Sequence, residues 1–517
     1  MRKVLLLALL FTIQLLSAQN FWTPVNYKGA FPVTDGTPST DWTYSWSNFD
    51  PENTIYPQTT STISSDITTN TTISGTVLLQ NKVYVTNGAT LTILPGTIIR
   101  GDYSSQATLI ITKGSKIIAE GTATSPIVFT SNEPIGNRAE GDWGGLVILG
   151  RATNNQPGGI ANIEGIAPTS KTEFGGNDDN DDSGILKYVR VEFGGIPLEP
   201  NKEINGITFG SVGSSTLVDF VQVSFSGDDS FEWFGGTVNC KHLISYRGVD
   251  DDFDTDFGYR GKVQFGLSIR DFTKSDAPGD SNCFESDNDA TGSSNTPITS
   301  AVFSNFTLIG PKGNGSQVLP TGEKFEKAFR IRRNSSISVF NTLVTGWEKG
   351  LSIEGTSTLA NFDSGNAIFA NNVLSELGSY MVTSNYNNFS QHNNDSTLVI
   401  SDIDWVNIFS NFGTTPDARL NSNSQVSTGA DFTDPRFAVS VVNLDNQKNI
   451  SIFPNPCVGI LNITSYEESS VKISDITGRI LINKVINGDS QIDLTNLTSG
   501  IYLVTINNQP SKKLILN

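Results

Sequence analysis

Residues 221–267 read VQVSFSGDDSFEWFGGTVNCKHLISYRGVDDDFDTDFGYRGKVQFGL. Three apolar alternations lie in this window: Val221-Val223-Phe225, Leu243-Ser245 and Val263-Phe265-Leu267. They recur at about 20 to 22 residues. The same interval reappears downstream in Phe306-Leu308, Phe329-Ile331 and Leu351-Ile353. Upstream, shorter runs are set apart by turn signals. Lys82 to Val85, Leu91 to Ile93, Thr97 to Ile99, Leu109 to Ile111, Lys116 to Ala119 and Ile127 to Phe129 are separated by Asn87-Gly88, Pro95-Gly96, Lys113-Gly114 and Glu120-Gly121. A fixed period near 22 with three short strands per repeat predicts a parallel β-helix. One coil cannot bury its inward apolar face alone, whereas stacked coils share a continuous core. Asn and Gly suit the corners, where left-handed backbone is needed. The competing reading, an antiparallel sandwich array, would require hairpin pairs with polar alternation.

Composition agrees. The chain has 517 residues, 17% charged and 37% hydrophobic, with 48 Gly. Low charge with many small polar and β-branched residues indicates β-structure. The length calls for more than one unit, or for one elongated unit. A formal net charge of −18 excludes nucleic acid and an anionic membrane surface as natural partners. Two histidines, His242 and His392, exclude multi-histidine zinc sites. The three cysteines, Cys240, Cys283 and Cys457, are an odd number and indicate no disulfide framework. If Cys240 and Cys283 lie two coils apart, strand spacing separates them by roughly 9 to 10 Å, beyond disulfide reach.

The ends differ from the middle. Arg2 and Lys3 precede a largely apolar run from Val4 to Leu16, and Ser17-Ala18 offers small residues for cleavage. Residues 1–18 therefore read as a secretory signal peptide, too short for a membrane span. No later stretch is long and apolar enough to span. Gln19 to Asn70 carries Trp22, Trp42 and Trp46 among polar turns and is expected to cap the first coil, whose strand edge is otherwise open. The β-helix is expected over residues 71–412 and a linker over 413–447. Residues 448–517 change texture again. Ser451 to Pro456 contains two prolines, and short alternating runs follow, separated by Thr477-Gly478 and Ser499-Gly500. This predicts a small antiparallel β-sandwich of about seven strands, Ig-like in architecture.

Four stretches there carry a resemblance: Phe453-Pro454-Asn455-Pro456, D-I-T-G-R over 475–479, L-T-S-G-I-Y over 497–502, and Lys512-Lys513-Leu514-Ile515. Together they resemble the type A C-terminal sorting domain of the Bacteroidota type IX secretion system. The resemblance implies export across the outer membrane by the type IX machinery, then release or attachment at the cell surface. In the body, Gly141-Asp142-Trp143-Gly144-Gly145, DDSGILKYVRVEFGG over 181–195, FEWFGG over 231–236, DDDFDTDFGYRG over 250–261 and FESDND over 284–289 resemble a family of exported right-handed parallel β-helix proteins without an assigned activity.

Acidic residues concentrate in the middle of the chain, at 177–182, 228–232, 250–256 and 285–289. Asp228 and Asp250 lie one period apart, so Asp228/Asp229 should stack on Asp250/Asp251 of the next coil. Like charges about 5 Å apart repel strongly. Either their pKa values rise or a cation sits between them. Oxygen-only donors suit Ca²⁺, and the expected ligand set is Asp228, Asp229, Asp250, Asp251, Asp252, Asp254 and Asp256. The last three share one side if the chain is extended from 252. Solvated acidic turns are the plain alternative. Paired Asp228 and Asp229 also resemble the aspartates of polygalacturonases, although the Gly-His-Gly of that family is missing around His242. A lyase would need Ca²⁺ with an arginine base, for which Arg247 and Arg260 flank the cluster. The expectation is a secreted or surface protein that binds glycans or another surface without catalysis. The alternative is a Ca²⁺-dependent polysaccharide lyase or a glycoside hydrolase.

Overall fold

The computed structural model describes residues 21–517 except 200–201, 277–278, 314–316, 383–385, 409–414, 439–450, 454–455, 465–467, 476–478, 488–489 and 507–511. The segment 1–18, expected to be a signal peptide, lies outside the described residues.

The coil containing the quoted window shows how the body is made. Leu217–Ser224 is two short strands joined at Phe220, whose φ of 56° turns the backbone. Phe231–Phe234 is the third strand. The next coil repeats this with Asn239–Tyr246 and Phe253–Asp256. Register is parallel and 22 residues deep: Val221 opposes Leu243, and Phe231 opposes Phe253. The bend residues Phe220 and His242 drop out of the ladder, between Asp219↔Lys241 and Val221↔Leu243. Coils stack in this way from Ser61–Ile63 to Ser379–Met381. The first two faces form one continuous 16-stranded sheet, and the third face is a 10-stranded sheet. The body is thus a parallel β-helix with three strands per coil. Its regular period is interrupted by insertions: Leu149 and Gly210 are partners 61 residues apart.

Inside, aromatic side chains stack from coil to coil. Ring centroids are 5.7 Å apart for Phe231–Phe253, 5.0 Å for Phe253–Phe284 and 5.1 Å for Phe284–Phe329. Each buried side chain of this size stabilises by about 1.5–3 kcal/mol. At the first bend, Tyr188, Phe220, His242, Phe265, Asn305, Asn341 and Asn371 all have positive φ, between 50° and 63°. Asn tolerates that conformation, but Tyr and Phe rarely adopt it. The aromatic positions are compensated by stacking on the outside of the bend, at 4.5 Å for Tyr188–Phe220, 4.2 Å for Phe220–His242 and 5.1 Å for His242–Phe265.

The N-terminal segment does not cap the first coil. Ser61–Ile63 is already a strand of the helix, and residues 21–57 run along its flank. Thr23 N–H donates to Gln264 (2.8 Å), Ala30 N–H to Thr307 (3.0 Å) and Asn48 N–H to Gln222 (2.8 Å). Trp42 and Trp46 cover the stacked bend residues, against His242 and Phe220 respectively. The reason is apolar area: the outward aromatic ladder would otherwise be wet, whereas the first coil shows mainly Ser and Thr. Residues 415–437, expected within a linker, also belong to the body. Asp417–Leu420 pairs with Trp405–Asn407, Leu420 bridges Val33, and Phe437 packs on Trp22 and Phe340.

Among the described residues the C-terminal unit has seven antiparallel strands. Ser451–Phe453, Ile460–Thr464 and Ser490–Asp493 form one sheet; Glu468–Asp475, Ile480–Asn487, Gly500–Ile506 and Lys512–Leu516 form the other. Leu461, Ile463, Val471, Ile473, Val504 and Leu514 fill the space between them. Cys240, Cys283 and Cys457 are buried free thiols.

Candidate functional site

The acidic residues meet where the second face turns into the third. Asp228 and Asp229 lie in the turn before strand Phe231–Phe234, and Asp250 and Asp251 lie one coil on, before Phe253–Asp256. In a strand, alternate residues point outward. Phe231 and Trp233 are fully buried in the core, so Glu232 points outward. The register sets Glu232 beside Asp254, Asp254 beside Glu285, and Glu285 beside Arg330. A row of three acids therefore ends on an arginine.

Two carboxylate groups are close-set. Oxygens of Asp228, Asp229 and Asp250 lie within 4.8 Å of one another, and so do oxygens of Asp229, Glu232 and Asp254. Asp229 belongs to both. Backbone donors hold the turns: Asp251 N–H donates to Asp229 Oδ1 (2.8 Å), and Asn282 N–H donates to Asp251 Oδ1 (2.5 Å). The Asn205 side chain donates to the Glu232 carboxylate. Asp254 Oδ1 is sealed from solvent and has no hydrogen-bond donor among the described residues.

Burial is the largest influence on these acids. It pushes the carboxyls of Asp229, Glu232, Asp250, Asp251 and Asp254 well above the usual range, and neighbouring acids push them further. For Asp229 the next cause is Asp228, and for Asp254 it is Glu232 followed by Glu285. Without a cation, burial and mutual repulsion favour the protonated forms of these acids; a divalent cation among them would favour the ionised forms.

Two of the expected ligands lie elsewhere. The third-face strand begins at Phe253, after the corner, so Asp252 does not share the face of Asp254. Its carboxylate turns inward. It accepts from Ser245 Oγ (2.5 Å) and Ser268 Oγ (2.6 Å), and pairs with the fully buried Arg270 at 3.4 Å. Asp256 is outward but two residues further along the strand, level with Phe234. It accepts from Phe257 N–H (2.7 Å), and burial raises its carboxyl to about 8. Asp251 stays at the cluster as a backbone acceptor rather than in either close-set group. Glu232, part of the acidic run but absent from the expected ligand set, joins one; its place opposite Asp254 follows from the 22-residue register.

The arginines are engaged outside the cluster. Arg247 pairs with Asp271 and Glu52 and lies over the Phe225 ring, while Arg260 bonds Asp179 and Thr153. Arg270 works from beneath: its guanidinium donates to the carbonyls of Gly248 (2.9 Å), Asp250 and Asn282 (3.0 Å). One buried cation thus ties the turns that carry Asp250, Asp251 and Asn282.

The donors are all oxygens. An ion 2.3–2.6 Å from each ligand, the Ca²⁺ range, can be shared by oxygens up to about 5 Å apart. Both close-set groups fit that limit, and among the described residues Asp254 has no cationic side chain at ion-pair distance, Arg332 acting on it only from further away.

Among the described residues no helix is long and apolar enough to cross a membrane. Residues 451–517 match the secretion system C-terminal sorting domain, so the protein is handled by the type IX secretion machinery and is secreted or held at the cell surface. No curated protein matches the chain. Residues 61–470 match the family described as pectate-lyase like beta helix domain, beginning at the first strand of the helix, and the chain belongs to that family.

Proposed function

We propose that this secreted β-helix protein is a non-catalytic glycan-binding or adhesion protein whose stacked acidic turns hold Ca²⁺ through Asp228, Asp229, Glu232, Asp250 and Asp254. The observation that carries the cation is the donor-less, solvent-sealed Asp254 Oδ1 in a group with Asp229 and Glu232. An ionised oxygen in that position is costly to bury without a partner. The ion supplies the missing charge and locks two coils in register. A role at the surface fits the sorting domain and the rigid, continuous core.

The family match favours a second reading, a Ca²⁺-dependent lyase or a hydrolase of polysaccharide. The placement of the arginines supports the first reading instead. A lyase base must reach the proton it removes, yet Arg247 and Arg260 are tied to Asp271, Glu52 and Asp179. Asp228 and Asp229 as acid and base would have to work while sharing a site with Asp250. The test is a glycan array on the full mature chain, run beside a cleavage screen on polyuronides. Binding without product formation supports the proposal. Cleavage lost in Asp228→Asn or Asp229→Asn would replace it with the enzyme reading.

A further inference from the structure

We infer that the β-helix carries a binding site for one neutral hexopyranose unit in the cavity between its last coils and segment 431–434. The inference rests on the glycan-binding reading, to which it gives a location, and does not depend on the cation. The cavity measures about 220 Å³. That suits one sugar ring rather than an extended chain. It is smaller than the pockets of about 300–1,000 Å³ that take larger ligands.

Its chemistry is two-sided. Phe340, Ile368 and Ala370 line one part, with Phe340 and Ala370 register partners on adjacent coils. Asn371, His392 and Asp431 line another. Asn371 Nδ2 donates to Asn341 Oδ1 (2.6 Å) and to the Gly429 carbonyl (2.7 Å), so the acceptor end of its amide remains. Asp431 Oδ1 accepts from Thr433 N–H (2.8 Å), which leaves Oδ2. His392 Nδ1 shares a hydrogen bond with Tyr386 Oη (3.1 Å), which leaves Nε2; burial lowers this imidazole and favours its neutral form. An acceptor-rich rim beside an apolar wall matches a ligand with many hydroxyl donors and a C–H face. Asp431 and Asp434 both line the cavity, and no Lys or Arg does so among the described residues; Asp434 is paired with Arg436 at 3.1 Å. A uronate or sulfated sugar would meet the like charge of Asp431 there, so the ligand is neutral.

The walls are preformed. Segment 431–437 is pinned by Phe437, which packs at 5.0 Å on Trp22 and 4.9 Å on Phe340. Asp431 N–H also donates to Asn341 Oδ1 (2.8 Å).

The experiment is saturation-transfer NMR and calorimetry on the full mature chain. The probes are methyl glycosides of glucose, galactose, mannose and N-acetylglucosamine, with glucuronate and galacturonate for comparison. The wild type should bind at least one neutral glycoside and prefer it to either uronate. Ala370→Trp, which fills the cavity, should abolish binding while circular dichroism stays unchanged. Asp431→Asn keeps the turn acceptor and should weaken binding about tenfold, the loss of one charged hydrogen bond. Binding that survives both substitutions, or a preference for uronates, overturns this site and leaves the glycan reading standing. No binding to these glycosides or to any arrayed glycan overturns both.

Discussion

Asp254→Asn should stabilise the protein in chelator and destabilise it relative to wild type in Ca²⁺. Asp254 lies within 4.8 Å of carboxylate oxygens on Asp229 and Glu232. Two unit charges at that distance repel by about 3.5 kcal/mol at an effective dielectric constant near 20. The raised carboxyls relieve part of this by favouring protonation. Holding one carboxyl protonated at pH 7 against an unperturbed value near 4 costs about 4 kcal/mol. Either route sets the relief from removing one acid at about 2–4 kcal/mol. An unfolding entropy of about 2.1 cal/mol/K per residue over roughly 400 residues makes each kcal/mol worth about 1 °C. Differential scanning calorimetry in EDTA should therefore show a midpoint about 2–4 °C higher for the variant. In millimolar Ca²⁺ the order should invert, because the variant has lost a ligand. A variant less stable than wild type in both conditions would refute the repulsion argument and make Asp254 an ordinary strand residue.

Other outcomes follow from the same geometry. Arg270→Met leaves Asp252 buried and unpaired and should lower stability by about 3–5 kcal/mol, and adding Asp252→Asn should recover part of it; calorimetry of the three variants checks this. In chelator the pH dependence has a definite sign. Raised carboxyls such as Asp256, at about 8, stabilise the folded chain fully below their unfolded value and lose that contribution as pH rises through the folded one. The midpoint should thus fall between about pH 4 and pH 8, and Ca²⁺ should remove the share contributed by the site's own carboxyls while leaving that of Asp256. Cys240 and Cys283 are buried thiols whose pKa values burial raises, so an aromatic disulfide reagent should modify them only in denaturant. Deleting residues 448–517 should trap the protein in the periplasm, read by cell fractionation; surface display unchanged by the deletion would contradict the sorting role.

The spacing of Val221, Leu243 and Phe231 against Phe253 made the β-helix legible, because a coil's inward residues must recur at its own length. The same period placed Asp229 next to Asp251, and the backbone of Asp251 does bond the Asp229 carboxylate. The misplacement of Asp252 has a local cause. Alternation was counted from 252, but the corner extends to that residue and the strand starts at Phe253. The flank segment was not legible. Trp42 and Trp46 signal burial, but their partners His242 and Phe220 are about 200 and 174 residues away. Nothing in a local pattern names such a partner. Phe220 and Phe265 at positive φ were hidden for a related reason: aromatic residues seldom mark a left-handed bend, and only the stack across coils makes it affordable.

Whether Ca²⁺ joins the acidic turns of adjacent coils is read from thermal unfolding of the wild-type protein. Chelator-stripped protein is melted in EDTA and again in millimolar Ca²⁺, at neutral pH and fixed ionic strength. Binding to the folded state alone, at a hundredfold excess over Kd, stabilises it by about 2.7 kcal/mol, or about 3 °C for a body of this size. The wild type should show that rise, and Asp229→Asn should lose it. Superimposable wild-type curves with and without Ca²⁺ would contradict the Ca²⁺ link.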